Sequence, residues 1–172
     1  LLIGVLSLNR PGLIASMFYL VVYGFATLGA FGIVTLVRDS SGEVTDINRW
    51  TGLAKKSPVI ASIFALFLLS FGGIPLTAGF VGKFSIFTAA YSGGNTLVVV
   101  VGVLASAIAL LFYLRVVLLL FFSEPTSETV SVVIPSLLTR IAIGISALVT
   151  VLFGVYPSLL INLVSSYSFF NR

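Results

Sequence analysis

The sequence predicts an all-α polytopic membrane protein with four spans, preceded by the tail of a fifth helix. One of the four spans is predicted to be a discontinuous helix, broken at about Gly72–Gly79. Three observations favour this fold class. Apolar residues make up 59% of the chain and charged residues only 8%, whereas roughly 25% of a soluble domain is charged. The mean hydropathy is +1.22, and several segments exceed the roughly 18 apolar residues that mark a membrane span.

The composition also excludes several kinds of chemistry. The 172 residues include neither cysteine nor histidine, which excludes disulfides, cysteine-ligated zinc and iron–sulfur clusters within this sequence. Without histidine, the sequence has no imidazole to act as a base, a proton shuttle or a haem ligand. We attribute the net charge of +4 to the lysine and arginine residues that orient a membrane protein, rather than to nucleic-acid binding. Glycines precede the lysine in Gly79–Lys83, but neither P-loop spacing nor a strand–helix context surrounds them, so nucleotide chemistry is not indicated.

The first elements are an apolar run and a full span. We interpret Leu1–Leu8 as the tail of a helix; it begins without Met and lacks the basic region and cleavage site of a signal peptide. We therefore expect the C-terminal part of a longer protein. A turn at Asn9–Gly12 leads into the first span, residues 13–37. Small residues on one side of this span predict close packing on another helix; they are Gly24, Thr27, Ala30 and Gly29 or Gly32.

The second span, residues 58–91, follows the polar connection Arg38–Ser57 and is predicted to be broken. A continuous helix over this span would be roughly 50 Å long at 1.5 Å per residue, whereas the hydrocarbon core is about 30 Å thick. Pro75 removes a backbone donor, and glycines such as Gly73 and Gly79 weaken a helix further. We expect two half-helices joined by an extended segment.

Two more spans complete the chain. The third, residues 97–122, carries Tyr113 and Arg115 in its last two turns. The polar loop Ser123–Thr139 separates it from the final span, residues 140–164. Lysine and arginine are concentrated in the two longer loops, so the positive-inside rule places those loops in the cytoplasm and the C-terminus outside. The basic residues on the opposite side are Arg10 and Arg172.

Lys83 is the main candidate for a functional residue. It lies in an apolar stretch after the break, and all five acidic residues lie in the loops. A charge deep in a bilayer costs roughly 3 kcal/mol on insertion scales. Low dielectric disfavours the charged form of a lysine, and transporters build ion sites from broken helices. We predict a proton relay at Lys83, supported by the break at Gly73, Pro75 and Gly79. The alternative is a lysine that extends toward the interface beside a plain kink.

Other polar groups are secondary candidates. Arg115 is either an interface anchor or a relay element that carries protons onward from Lys83. Several hydroxyls are placed to bind water in such a path, although hydroxyls on membrane helices usually bond to their own backbone. They are those of Tyr113, Thr27, Ser70, Thr77 and Ser85.

The run Ser70–Phe84, SFGGIPLTAGFVGKF, resembles the proton-pumping antiporter-like subunits of respiratory complex I. It is most similar to the N subunit, the bacterial counterpart of mitochondrial subunit 2. Tyr23–Gly32 and Phe112–Val116 support the resemblance, which covers nearly the whole chain. The resemblance implies two inverted repeats, each with one broken helix, of which this sequence would hold the last spans. Lys83 would be the family's essential lysine on the outward proton half-channel.

The resemblance also implies what surrounds the chain. Electrons would pass from NADH through FMN and iron–sulfur clusters to a quinone in partner subunits, and this chain would bind none of these cofactors. It would be a subunit of a proton-translocating NADH:quinone oxidoreductase, with no redox chemistry of its own. Its partners would be the other membrane-arm subunits and the lipid bilayer, not nucleic acid. It would be a multi-pass protein of the inner (plasma) membrane of a bacterium.

Two alternative functions remain open from the sequence. Multisubunit cation/proton antiporters share the broken helix and the lysine, and sodium dependence without redox partners would distinguish them. The chain could instead be a structural membrane module of such a complex, with Lys83 paired at a subunit interface. An assembly defect in Lys83→Met, rather than a pumping defect, would favour that function.

Overall fold

The computed structural model describes residues 1–7, 9–39, 42–44, 46–124 and 131–167. Most of these residues are helical, and three helices are apolar and long enough to cross a membrane, which confirms the prediction of a helical membrane protein at that level. Predicted features at Leu8, residues 125–130 and Arg172 lie outside the described residues. In chain order the described α-helices are α1 (Leu2–Leu6), α2 (Arg10–Val34), α3 (Leu53–Lys56), α4 (Pro58–Gly72), α5 (Ala78–Ser92), α6 (Thr96–Phe122), α7 (Leu137–Val155) and α8 (Pro157–Tyr167).

Helix α2 packs against α4, α5 and α7. The close approach that the small residues predict is found at Gly29, where an added Cβ would overlap the Phe67 ring of α4. The same Cβ would lie 2.8 Å from Cβ of Ser146 on α7. Gly24 does not take part, because a Cβ there would meet no atom within 4 Å. Three helices therefore meet at one glycine, and a larger side chain there would separate them.

Residues 73–77 separate α4 from α5, within the range where the sequence predicts a break. Each of these two helices has 15 residues and is thus about 22 Å long at 1.5 Å per residue. A bilayer core is about 30 Å thick, so neither helix is long enough to cross it alone. The three long helices are α2, α6 and α7.

A small antiparallel sheet covers one end of the helices. Its strands are β1 (Val37–Asp39), β2 (Gly42–Glu43) and β3 (Ser131–Val132), in the order β2-β1-β3. Val37 pairs with Val132 and so ties the two polar connections together. The sequence predicts no strand here, because strands of two or three residues are too short to show the alternation that marks a half-buried strand.

The sheet is anchored by an indole and an ion pair. Trp50 is buried and its Nε1–H donates to the carbonyl oxygen of Val44 at 3.1 Å. Arg49 forms an ion pair with Asp39, whose side chain is only 5% exposed. A hydrophobic core lies beneath, and among its fully buried side chains are Ile33, Phe67 and Leu120.

The end of the chain differs from the single span predicted over residues 140–164. Helix α7 begins earlier, at Leu137, and ends at Val155; α8 then begins at Pro157. The reason is Pro157, which lacks a backbone N–H and disfavours a helical conformation at the residue before it. Tyr156 accordingly leaves the helical region, at φ −123° and ψ 66°. The membrane boundaries of this and the other predicted spans stay predictions.

Candidate functional site

The site is built on the C-terminal end of α4. Gly73 has φ +80°, a left-handed conformation that glycine adopts without the steric penalty of a Cβ. The N–H groups of Gly73 and Ile74 donate to the carbonyl oxygens of Ser70 and Leu69, both at 3.0 Å. This is a Schellman ending, which satisfies two of the four carbonyls that a helix leaves free at its C-terminus. The carbonyl of Phe71 is left for another donor.

The break continues through a strained residue. Leu76 has φ 71°, the one positive φ at a non-glycine position in the described residues. Such a conformation costs a residue with a Cβ roughly 1–2 kcal/mol, so the surrounding contacts must hold it. Thr77 contributes by donating from Oγ1 to the carbonyl oxygen of Ile74 at 2.7 Å. Gly154 of α7 lies directly against this segment, since a Cβ there would overlap the backbone of Leu76 and Thr77.

Gly79 holds the start of α5 against the end of α4. A Cβ at Gly79 would overlap the backbone carbonyl of Ser70. The Gly79 N–H donates to Ser70 Oγ at 3.1 Å, in a buried position. The two helix ends therefore overlap side by side instead of being stacked end to end, and glycine is required for that contact.

Lys83 reaches back from α5 to the end of α4. Its Nζ donates to the carbonyl oxygen of Phe71 at 2.7 Å. The carbonyl end of a helix carries partial negative charge, so an ammonium group is favoured there. Gly73 leaves room for the lysine stem, because a Cβ would lie 3.2 Å from Lys83 Cδ and 3.6 Å from Nζ. Among the described residues every carboxylate lies in the polar connections, and the partner of the ammonium is a carbonyl.

A cavity of about 210 Å³, the lysine cavity, lies beside Lys83. Its lining is mostly apolar, with Tyr19 and Ser106 as further polar residues, and Gly102 of α6 is part of the lining. Mostly apolar cavities with a few polar groups are typical of sites that take small molecules or water.

A second cavity, of about 280 Å³, lies toward the sheet, and we call it the loop-side cavity. It is lined by Tyr23, Thr27, Phe71 and Tyr113, together with apolar residues of α2 and α4. The Phe71 ring contacts the rings of Tyr23 and Tyr113, with centroids 5.3 and 5.7 Å apart. Phe71 therefore contacts both parts of the site: its carbonyl binds Lys83 and its ring lines the loop-side cavity.

The structure brings some predicted residues together and leaves others apart. Gly73, Pro75 and Gly79 form the break beside Lys83, and Tyr113 lies in the aromatic cluster. Arg115 is exposed and lines neither cavity. The roles assigned to these residues stay predictions.

The carbonyl of Phe71 and the side chains of Tyr19 and Tyr23 are not among the site residues predicted from the sequence. Tyr19 and Tyr23 stack on each other with centroids 5.4 Å apart. A usable signal existed, because Tyr19, Tyr23 and Thr27 are spaced four residues apart and so lie on one face of α2. The free carbonyl was also predictable, since every helix that stops leaves such groups. No group of acidic residues suited to a metal ion occurs in the described part of the chain.

Comparison with known proteins agrees with this architecture. The chain is 52% identical over its whole length to NADH-quinone oxidoreductase subunit N of Rhodococcus opacus, covering 32% of that protein. It is 48% identical over its whole length to subunit N 3 of Streptomyces griseus, covering 31%. The chain thus spans about a third of the length of the relatives it matches.

Comparison with solved structures agrees as well. The fold matches a chain of respiratory complex I from Thermus thermophilus, solved with bound aureothin, with a TM-score of 0.76 and 28% identity. The match covers 87% of this chain and 34% of that one. The model of a family described as NADH:quinone oxidoreductase/Mrp antiporter, transmembrane, matches residues 1–109. The resemblance to the antiporter-like subunits is thereby confirmed, and the chain belongs to the NADH:quinone oxidoreductase/Mrp antiporter membrane-subunit family.

Proposed function

We propose that the chain is part of a proton-translocating membrane subunit of an NADH:quinone oxidoreductase, in which Lys83 relays protons. The names of the relatives support this choice. The observation that carries it is the 2.7 Å hydrogen bond from Lys83 Nζ to the carbonyl of Phe71. It puts a lysine side chain at the negative end of a helix and next to a cavity, and the carboxylates of the described residues all lie in the polar connections.

This geometry suits a lysine that changes its charge. The carbonyl end of α4 favours the ammonium form, whereas removal of water disfavours it. Opposing effects of this kind leave the proton on Nζ sensitive to charges nearby. Two unit charges at 10 Å interact with roughly 1.7 kcal/mol at an effective dielectric constant of 20, which is about a tenfold change in protonation equilibrium. Charge movement in an adjacent site would therefore load or unload Lys83.

The break belongs to the same proposal. Because Gly79 packs on Ser70, the end of α4 and the start of α5 lie side by side. The combined length of the two helices is therefore shorter than that of two helices laid end to end. We propose that they form one discontinuous span over residues 58–91. Irregular backbone is tolerated at membrane depth only inside protein or beside a water-filled cavity. Residues 76 and 77 pack directly against Gly154 of α7, and Lys83, which binds the end of α4, lines the lysine cavity. The polar sheet would lie on the cytoplasmic side of the inner membrane of a bacterium and the C-terminus outside.

The redox chemistry would lie elsewhere. NADH, FMN, iron–sulfur clusters and quinone would be bound by partner subunits, and the link to Lys83 would be electrostatic, along the other membrane-arm subunits. This sequence offers no cysteine or histidine to ligate an iron–sulfur cluster.

The test uses the full subunit in its assembled complex, reconstituted in vesicles. Lys83→Ala is expected to lower proton uptake per NADH at least tenfold with assembly intact. The matched control is Lys55→Ala, since Lys55 is exposed and its Nζ binds Glu124 at 2.8 Å on the polar surface. Normal uptake in Lys83→Ala would remove the proposed relay. Failure of Lys83→Met to assemble would instead favour a structural module.

A second function has one observation in its favour, because the family description also names the Mrp antiporters. In that case purified complexes would contain membrane subunits without flavin or iron–sulfur proteins. Transport in vesicles would then depend on sodium and not on NADH.

A further inference from the structure

We propose that Gly154 of α7 is a positioning residue for Lys83, and that it acts through the break that precedes α5. Gly154 belongs to the α7–α8 corner, residues 153–160, in which Pro157 begins α8. The effect of Gly154 on the position of Lys83 stands on the geometry of this corner. The consequence for proton transport rests on the proposed function.

The break holds Leu76 in a conformation that its own side chain does not stabilise. Leu76 has φ 71°, which is sterically unfavourable for a residue with a Cβ, and its side chain is 75% exposed. Contacts of the backbone must therefore maintain this conformation. The N–H and Oγ1 of Thr77 both donate to the carbonyl oxygen of Ile74, at 3.3 and 2.7 Å. These two bonds close the turn, but they do not attach it to the rest of the protein.

Gly154 provides a contact from outside the turn. A Cβ at Gly154 would lie 2.3 Å from the carbonyl oxygen of Leu76 and 2.7 Å from Cα and C of Thr77. The break itself would have to move to make room, because these atoms belong to the backbone and not to the end of a flexible side chain. Gly154 therefore lies directly against the turn, and the absence of a Cβ permits this close approach.

The same corner takes part in burying the first turns of α5. Ala78, the first residue of α5, is 1% exposed and belongs to a buried cluster that includes Leu160 of α8 and two residues of α2. Phe153 of α7 and Val81 of α5 pack against this cluster. The α7–α8 corner thus contacts the break through Gly154 and shares a hydrophobic cluster with the start of the helix that carries Lys83.

The start of α5 decides where Lys83 lies. Lys83 follows Ala78 in one continuous helix, by about one and a half turns at 3.6 residues per turn, so a displacement of the first turn moves both. To reach ordinary contact at 3.4 Å, the Leu76 carbonyl would have to withdraw by about 1 Å from a Cβ at Gly154. Lys83 Nζ lies 2.7 Å from the Phe71 carbonyl oxygen, and such bonds extend to about 3.2 Å. A shift of 1 Å, passed on to Lys83, therefore breaks this bond.

The position of Lys83 is tested by electron cryo-microscopy of the intact complex with Gly154→Ala. We expect the separation of Lys83 Nζ from the Phe71 carbonyl oxygen to increase beyond hydrogen-bonding distance. The matched control is Gly144→Ala on the same helix, where a Cβ meets no atom within 4 Å and the hydrogen bond should stay intact. An unchanged hydrogen bond in Gly154→Ala would overturn the proposal.

Proton uptake per NADH in vesicles tests the consequence for transport. Gly154→Ala should lower uptake severalfold, whereas Gly144→Ala should leave it unchanged. The double variant Leu76→Gly/Gly154→Ala should recover uptake, because glycine adopts positive and negative φ about equally readily. Residues 76 and 77 can then withdraw from the new methyl group without moving α5. Wild-type uptake in Gly154→Ala would overturn the consequence for transport.

The double variant separates positioning from a general loss of packing. A second glycine adds chain entropy to the unfolded state and no contact to the folded one, so it would not repair a packing defect. A double variant that pumps no better than Gly154→Ala would therefore overturn the positioning role. If Gly154→Ala does not assemble, assembly becomes the readout: recovery of assembly in the double variant supports the proposal, and continued failure overturns it.

Failure of the relay is distinguishable from failure of this proposal. Normal uptake in Lys83→Ala would remove the relay and with it the consequence for transport. The position of Lys83 in Gly154→Ala is still decided by the measured separation from the Phe71 carbonyl oxygen, because that measurement does not depend on pumping.

Discussion

Replacing Gly73 by alanine should disturb Lys83, and Gly94 provides the control. Both glycines have a positive φ, +80° at Gly73 and +81° at Gly94, which an alanine rarely adopts. A Cβ at Gly94 would meet no atom within 4 Å, whereas at Gly73 it would lie 3.2 Å from Lys83 Cδ. Gly73→Ala and Gly94→Ala therefore impose the same backbone strain, and only the first also pushes on the lysine.

The expected free-energy costs distinguish backbone strain from loss of the hydrogen bond of Lys83. A left-handed alanine costs roughly 1–2 kcal/mol, so both variants should lose about that much stability. A hydrogen bond to a charged group contributes about 1.5–3 kcal/mol. If the new methyl group displaces Lys83 Nζ from the Phe71 carbonyl, the population with the hydrogen bond formed falls roughly 10- to 100-fold.

The assay compares both variants in the reconstituted complex. Thermal unfolding should show similar losses of stability for Gly73→Ala and Gly94→Ala. Proton uptake per NADH should fall in Gly73→Ala and stay near wild type in Gly94→Ala. Equal uptake in the two variants would refute the reasoning, because it would mean that the contact between Gly73 and the lysine stem has no functional consequence.

Two further predictions concern the packing of the break. Gly79→Ala should destabilise the full subunit by about 3 kcal/mol or more, because the methyl group overlaps the Ser70 carbonyl and overpacking typically costs 1–3 kcal/mol before the loss of the neighbouring hydrogen bond. The same exchange at Gly144, where a Cβ meets nothing within 4 Å, should be neutral or slightly stabilising in thermal unfolding. Leu76→Pro should cost about 3 kcal/mol, since proline cannot adopt φ 71°, while Leu76→Asn should stay within about 1 kcal/mol because asparagine tolerates that region. Comparable melting temperatures for the two Leu76 variants would contradict the backbone conformation described.

Much of the helical organisation could be predicted from composition and from the glycines and proline. The position of the break follows from Pro75 and its neighbouring glycines, because their backbone effects are local. Helix α6, Thr96–Phe122, forms on a long apolar run that leaves little ambiguity about its helical character; the membrane span predicted over residues 97–122 stays a prediction. The final helix is the exception, because Pro157 ends α7 at Val155 and begins α8, whereas a single span is predicted over residues 140–164.

The small sheet and the roles of individual hydroxyls could not be predicted in the same way. β1 and β3 are far apart in sequence, and their pairing depends on how the helices below bring the two connections together. Whether a threonine bonds to its own helix or faces a cavity depends on what packs beside it. Thr27 and Thr150 have the same side chain and differ for that reason.

The sequence by itself determined that the protein is a helical membrane protein with a break before a lone lysine. These features depend on the hydrophobicity and the backbone preferences of individual residues, which do not change with the tertiary contacts around them. Only the tertiary structure decided that Lys83 binds the Phe71 carbonyl, and that Gly79 lies against Ser70. Both contacts join α5 to α4 across the break, so they exist only when residues 73–77 fold the two helix ends onto each other.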